Sequence, residues 1–271
     1  MSNTAAATQE SPEMASIKTI NMGDILAREP VALRVLLDAA RSPGFFYVDF
    51  REPSTADILE ELPDMFALVK EYFCQPEHEK MKSYYPNEEC GYKRYAQLET
   101  FEFALDDHSN GLFNYPGFQQ NQKRSMMPFS ERCHKVAMQI LSALSDGLMR
   151  QGTERFENKN LPGMPSDSGF MIYCAPTQAR VADVEDNAHT DEGTLTLMFF
   201  NQLCMQLKHP RTNEYQWIEH RPGQMLVNVG NSLVEHSNGE FYSCLHRAMQ
   251  PEDGVEERYL LSYLLRPGKS A

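Results

Sequence analysis

His189-Thr190-Asp191 is the stretch of this sequence whose residue types and spacing could do chemistry. A histidine and an aspartate two positions apart project to the same side of an extended strand, because strand side chains alternate faces. One imidazole and one carboxylate on one face offer two donors to a divalent metal. A second imidazole from a distant strand would complete a set of two histidines and one carboxylate. That set leaves about three coordination positions open and suits ferrous iron. A structural zinc site would be closed and usually rich in cysteine. His246 and Arg258 are read together with the pair, while His209, His220 and His236 are further imidazoles downstream. No Ser/His/Asp or paired-carboxylate constellation accompanies them.

The elements that must position these residues come from a chain of 271 residues, 41% of them hydrophobic, with a formal net charge of -13. An acidic balance without a Lys/Arg-rich stripe disfavours nucleic acid and anionic membrane as partners, since both need clustered positive charge. The six cysteines are scattered, with no C-x-x-C pair. Free thiols in a reducing compartment are expected from them. No apolar run approaches a membrane span. Residues 1–16 lack an apolar core and read as a disordered tail, not a targeting signal. The cytoplasm is the expected location.

The first part of the chain alternates helix and strand. Ile17 to Ile25 has a short extended character. Pro30 suits a first helical position, and Ser42-Pro43-Gly44 stops that helix. Gly44 to Phe50 is aromatic and β-branched, hence a strand. Ser54 opens a helix with Ile58, Leu62, Phe66, Val69 and Phe73 as its apolar stripe, interrupted at Pro63. Glu77 to Lys82 reads as a solvated helical turn, Phe101-Glu-Phe103 as a short strand, and Ser130 to Gln151 as a third helix. After Gly163 the texture changes to roughly eight short extended runs separated by Pro, Gly, Asn and Asp. These include Gly169–Cys174, Thr194–Phe200, Met205–Lys208, Tyr215–Glu219, Met225–Val229, Tyr242–Met249 and Arg258–Leu265. Helices first and strands second give an α+β chain ending in a sandwich or barrel, with a jelly roll among the options. The expected organisation is the tail, then a single domain over 17–271: a helical support segment, 17–160, and a jelly-roll core with the metal site, 161–271.

Several motifs occur in order. They are Asp38-Ala-Ala-Arg-Ser-Pro-Gly-Phe-Phe-Tyr-Val48, Ala188-His-Thr-Asp-Glu-Gly-Thr-Leu-Thr-Leu197, Val227-Asn-Val-Gly-Asn-Ser-Leu233, Ser243-Cys-Leu-His-Arg247 and Arg258-Tyr-Leu-Leu-Ser262. By them the chain resembles the isopenicillin N synthase-like branch of Fe(II)/2-oxoglutarate-dependent dioxygenases. The resemblance covers nearly everything after the tail. It implies a double-stranded β-helix, a jelly-roll barrel with iron at one mouth. It implies His189, Asp191 and His246 as iron ligands, His246 being followed by Arg247 as in the family motif and preceding Arg258 by 12 residues. His236 then reads as a surface-turn residue, and His78, His108, His134, His209 and His220 as surface or helix-face residues. Arg258 matches the arginine that pairs with the distal carboxylate of 2-oxoglutarate, a task suited to a guanidinium fork that stays charged. Tyr173 matches a barrel tyrosine whose hydroxyl donates to a cosubstrate carboxylate.

The implied cofactors are Fe(II), 2-oxoglutarate as cosubstrate and O2. Together they would oxidise an unactivated C–H of a small organic molecule, as tailoring oxygenases of secondary metabolism do. The apolar residues Phe101, Phe103, Met171, Met205, Leu207 and Met249 are candidates for the substrate pocket, with Tyr92 and Tyr95 on a lid. Two departures from the family stand out. Leu260 occupies the position of a serine two residues after the arginine, so one hydroxyl to the carboxylate is missing; Thr196 or Tyr173 is expected to compensate. The sequence also stops at Ala271, just after the last strand, leaving the mouth wide or covered by residues 90–118 or a second subunit. An oxidase of the same fold without 2-oxoglutarate and a non-catalytic jelly-roll metal protein are the rival readings.

Overall fold

A computed structural model describes residues 13–86, 90–95, 98–104, 120–160, 168–176, 187–249 and 257–268. Its frame is a sheet of eight strands facing a smaller sheet of three. The large sheet runs β1 (Lys18–Asn21), β2 (Phe45–Asp49), β9 (Gln224–Val229), β6 (Leu195–Phe200), β11 (Glu257–Leu265), β5 (Gly169–Pro176), β4 (Glu99–Ala104), β3 (Gly91–Arg94). The small sheet runs β10 (His246–Ala248), β7 (Met205–Lys208), β8 (Tyr215–Trp217). A bridge between His189 and His246 extends its inner edge. All pairings between these strands are antiparallel except β1 with β2. This is the expected jelly roll.

The central strands are apolar on both faces because each face meets a different core. In β6, Leu195, Leu197 and Phe199 join the larger core, while Met198 and Phe200 join a second core between the sheets. In β9, Met225, Val227 and Val229 point one way and Leu226 the other. In β11, Tyr259, Leu261, Tyr263 and Leu265 take the first face. That leaves Arg258, Leu260, Ser262 and Leu264 on the side of the small sheet, since strand side chains alternate. Burying each such aliphatic or aromatic side chain stabilises by about 1.5–3 kcal/mol.

Helices cover the outer face of the large sheet. Among them, α2 (Pro30–Arg41) packs on β2, α4 (Leu62–Phe73) on β5 and β11, and α6 (Gln120–Gly147) on β6 and β11. Shorter helical segments among the described residues include α1 (Met22–Ala27), α3 (Asp57–Glu60), α5 (Glu77–Lys80) and α7 (Asn231–His236). Pro30 starts α2 as expected, and Pro63 stands in the first turn of α4, dividing it from α3.

Four differences from the sequence expectations have physical causes. The segment 17–160 is more than a helical support: the strands expected at 44–50 and 101–103 form as β2 and β4, and with β1 and β3 they extend both edges of the large sheet. Ile17 to Ile25 divides into β1 and α1, because Asn21 caps the helix by accepting from the amides of Gly23 and Asp24. The third helix begins ten residues before Ser130 and runs through Pro128. Ser130 itself is buried within it. The turn at 77–82 is not all solvated. Lys80 is buried, donating to Glu99 at 2.7 Å and to the Phe73 carbonyl at 3.0 Å.

Candidate metal centre and its cavity

The bridge beside β10 sets His189 next to His246, and the chain then turns Asp191 between them. One donor atom from each of the three lies within 4.8 Å of the other two. Asp191 Oδ1 is 3.5 Å from His189 Nε2 and 3.6 Å from His246 Nε2. His189 is exposed, Asp191 is half-buried and His246 is buried, so the group opens on one side.

Each donor is held from behind. His189 Nδ1 lies 2.9 Å from the Asn187 carbonyl, and His246 Nδ1 lies 3.1 Å from the Cys244 carbonyl. A carbonyl only accepts, so each Nδ1 carries the hydrogen and each Nε2 presents its lone pair to the centre. Asp191 Oδ2 accepts from the Thr196 hydroxyl and from Asn228 Nδ2 at 2.9 Å, which leaves Oδ1 for the histidines. Thr196 and Asn228 project from β6 and β9 on the cavity side, and Asn228 is 1% exposed. A buried asparagine inside Val227-Asn-Val229 is the one sequence signal for this role. Thr196 is thereby committed to Asp191 and does not replace the missing hydroxyl at position 260.

The charge of the carboxylate agrees with metal binding. Burial pushes the Asp191 carboxyl upward. The hydrogen bond to His189, the charge of His246 and the Asn228 and Thr196 donors outweigh it, so the group stays well below the usual carboxylate range. Contact with Asp191 raises His189, against burial. Burial lowers His246, against the Asp191 charge, which raises it. One anionic oxygen, imidazole nitrogens fixed in their metal-competent tautomers and no thiolate among the donors fit ferrous iron.

The three residues stand where two spaces meet. An inner cavity of about 120 Å³ lies between the sheets, and an outer mouth of about 600 Å³ opens from it. Met171, His189, Asp191, Thr196 and Leu264 border both. Leu260 and Ser262 line the inner wall, on the β11 face that also carries Arg258. Arg258 is 1% exposed, and its charge reaches the buried Cys204 thiol on the same wall. Tyr173 pairs with Leu260 across β5 and β11; its side chain lies outside the described part of the chain.

Of the expected pocket residues, Met171 and Met205 line the inner cavity. Phe101 and Phe103 do not. They are fully buried in the larger core, with Phe101 edge-on to Tyr72 at 5.2 Å. The cause is parity. In β4, Glu102 is the residue opposite Met171, so its neighbours on either side face away. Leu207 is buried in the second core and Met249 is buried outside the described lining. Tyr92 is also core, its hydroxyl donating to Glu99, whereas Tyr95 is exposed at the mouth. The sequence reading missed Glu102 and Arg266, joined at 2.6 Å on the mouth wall, and Met198 and Cys204 inside.

Comparison with known proteins gives the same picture. Residues 167–267 match the 2OG-Fe(II) oxygenase superfamily, and residues 17–128 match the N-terminal region described as non-haem dioxygenase in morphine synthesis. A 2-oxoglutarate-dependent dioxygenase of Gibberella zeae, FG08081, is 28% identical over 94% of this chain and 81% of its own length. The 2-oxoglutarate-dependent dioxygenase iboH of Amanita muscaria is 36% identical over 53% of this chain and 71% of its own. The dioxygenase for auxin oxidation of Arabidopsis thaliana, solved as a binary complex with 2-oxoglutarate, superimposes with a TM-score of 0.77 at 18% identity, covering 94% of this chain and 94% of that one.

Proposed function

The chain belongs to the 2OG-Fe(II) oxygenase superfamily and is a dioxygenase using Fe(II) and 2-oxoglutarate; on that premise we propose which residues do the work and on what. His189, Asp191 and His246 hold the iron. When bound, the iron and its cosubstrate supply the oxidising power: O2 is divided between succinate and the substrate as CO2 leaves. The protein contributes position and exclusion of water. Arg258 pairs with the far carboxylate of 2-oxoglutarate from the inner wall, and Tyr173 on the neighbouring strand is assigned to the same cosubstrate. Leu260, Met171 and Met205 keep the remaining wall apolar, so a reacting C–H is shielded from solvent.

The substrate is a small organic molecule that enters by the mouth. Hydroxylation, desaturation or ring rearrangement of it would be a tailoring step in secondary metabolism, in keeping with the fungal dioxygenases that this chain is similar to. No described helix is long and apolar enough to cross a membrane, and we place the activity in the cytoplasm.

The observation that carries the site assignment is the convergence of three donors, each pinned from behind, at the floor of an open mouth. Its test is anaerobic titration of the Fe(II) protein with 2-oxoglutarate. A visible charge-transfer band is expected, lost in His246→Ala. A band that survives that change would mean that another residue completes the site.

A further inference from the structure

Besides the metal set, the described lining of the outer mouth carries the charged side chains Lys93, Glu102, Glu192 and Arg266. Arg266 donates to Glu102 at 2.6 Å. Lys93 donates to the Tyr85 carbonyl, and its ammonium stands 5.4 Å from the centre of the Tyr84 ring. Glu192 is different. It is exposed, and among the described residues it pairs with no lysine or arginine. Its partner is a neutral amide: Asn231 Nδ2 donates to Glu192 Oε1 at 3.0 Å and to Thr190 Oγ1 at 3.0 Å. The backbone beneath it is fixed as well. Ser232 Oγ donates to the Glu192 carbonyl at 2.7 Å, and the amides of Asn231 and Ser232 donate to the carbonyls of Asp191 and Gly193 at 2.7 Å and 3.1 Å. Gly230 permits this approach, since a Cβ there would stand 2.1 Å from the Gly193 oxygen. A carboxylate already held in place gives up less freedom on binding than one on a loose chain.

We propose that Glu192 selects the substrate: the mouth takes a small organic molecule that carries a protonated amine, and the amine donates to the Glu192 carboxylate. This rests on the iron site assigned above and names the class of molecule brought to it. An ammonium group has three donors and no acceptor, so it matches an oxygen that only accepts. Asn231 takes up Oε1, which leaves Oε2 for a donor entering the mouth. Tyr84 and Tyr95 are exposed on the same mouth, and the faces of aromatic rings attract cations. The formal net charge of -13 favours the approach of a cation over that of an anion. An anionic substrate would meet a like charge at Glu192.

Three probes of similar size and different charge test this: benzylammonium, benzyl alcohol and benzoate. The Fe(II) protein is loaded anaerobically with 2-oxoglutarate, its charge-transfer band is recorded, and each probe is titrated in by calorimetry. Benzylammonium is expected to bind tightest. Glu192→Gln removes the charge and keeps an oxygen for Asn231, so it should weaken benzylammonium by about tenfold, the loss of one charged hydrogen bond, and leave benzyl alcohol unchanged. The band should form in this variant as in the parent. Tighter binding of benzoate, equal binding of benzylammonium to parent and variant, or no binding of any probe would overturn the amine assignment. If the band is present in the parent, the iron assignment survives each of those results. Its absence would overturn both.

Discussion

His189 and His246 exchange two backbone hydrogen bonds, from His189 N to His246 O at 3.0 Å and from His246 N to His189 O at 2.9 Å. Their imidazoles consequently sit side by side, 4.5 Å apart between centroids and tilted by 52°. The backbone, not the rings, joins the two segments. Replacing either imidazole should therefore spare the fold. His246→Ala is expected to abolish turnover and Fe(II) binding while thermal unfolding stays within a few degrees of the parent. A large fall in unfolding temperature would show that the imidazole carries structural weight.

The residues behind Asp191 should tune the metal without touching it. Asn228→Leu and Thr196→Val each remove a donor to Oδ2. Such supporting hydrogen bonds are worth about 10–100-fold in metal affinity. Titration of Fe(II) into each variant reads the loss directly, and unchanged affinity would mean that Oδ2 needs no support.

Arg258 and Leu260 share one face of β11 and should act oppositely on the cosubstrate. Arg258→Gln removes a charged hydrogen-bond partner worth about 1.5–3 kcal/mol, so the 2-oxoglutarate requirement should rise roughly 10–100-fold. Leu260→Ser restores a hydroxyl to the inner wall and should lower that requirement several-fold, while emptying space in the second core. Equal 2-oxoglutarate dependence in parent and Arg258→Gln would assign the arginine another ligand.

Glu102 and Arg266 clasp β4 to the end of β11 at the mouth wall. Each is a charged hydrogen-bond partner of the other. Either Glu102→Leu or Arg266→Met alone should destabilise by about 1–3 kcal/mol. The double variant should cost less than the sum, because the bond between them is lost only once. Urea unfolding of the four proteins gives the coupling; strict additivity would mean that the pair is solvated.

Asp146 ties α6 to two arginines, Arg28 at 2.6 Å and Arg155 at 2.8 Å. Burial raises its carboxyl, but the two arginines outweigh that and hold it below its ordinary value. The unfolded chain binds the proton more readily, so this contribution is complete above the unfolded value and is lost as pH falls through the folded one. Solvent screening keeps it near ~1 kcal/mol or less. Asp146→Asn should lower the unfolding temperature at neutral pH, and the gap from the parent should close in acid.

Strand positions after Gly163 were legible because turn residues punctuate runs of apolar and β-branched side chains: the expected Met205–Lys208 coincides with β7, and Arg258–Leu265 differs from β11 by one residue. Which face each strand residue takes was less legible. Phe101 and Phe103 are the more hydrophobic candidates, yet the pairing of Glu102 with Met171 puts the charged residue between them on the cavity side. That parity depends on register with a strand about 70 positions away, which local pattern does not encode. The supports of Asp191 were hidden for the same reason, since Asn228 and Thr196 meet it only once β6 and β9 are side by side.

Met171, His189, Asp191, Thr196 and Leu264 border the inner and the outer space alike. A change of side chain at any of these five is therefore felt on both sides at once, whereas Met205 serves only the inner compartment and Tyr95 only the outer one.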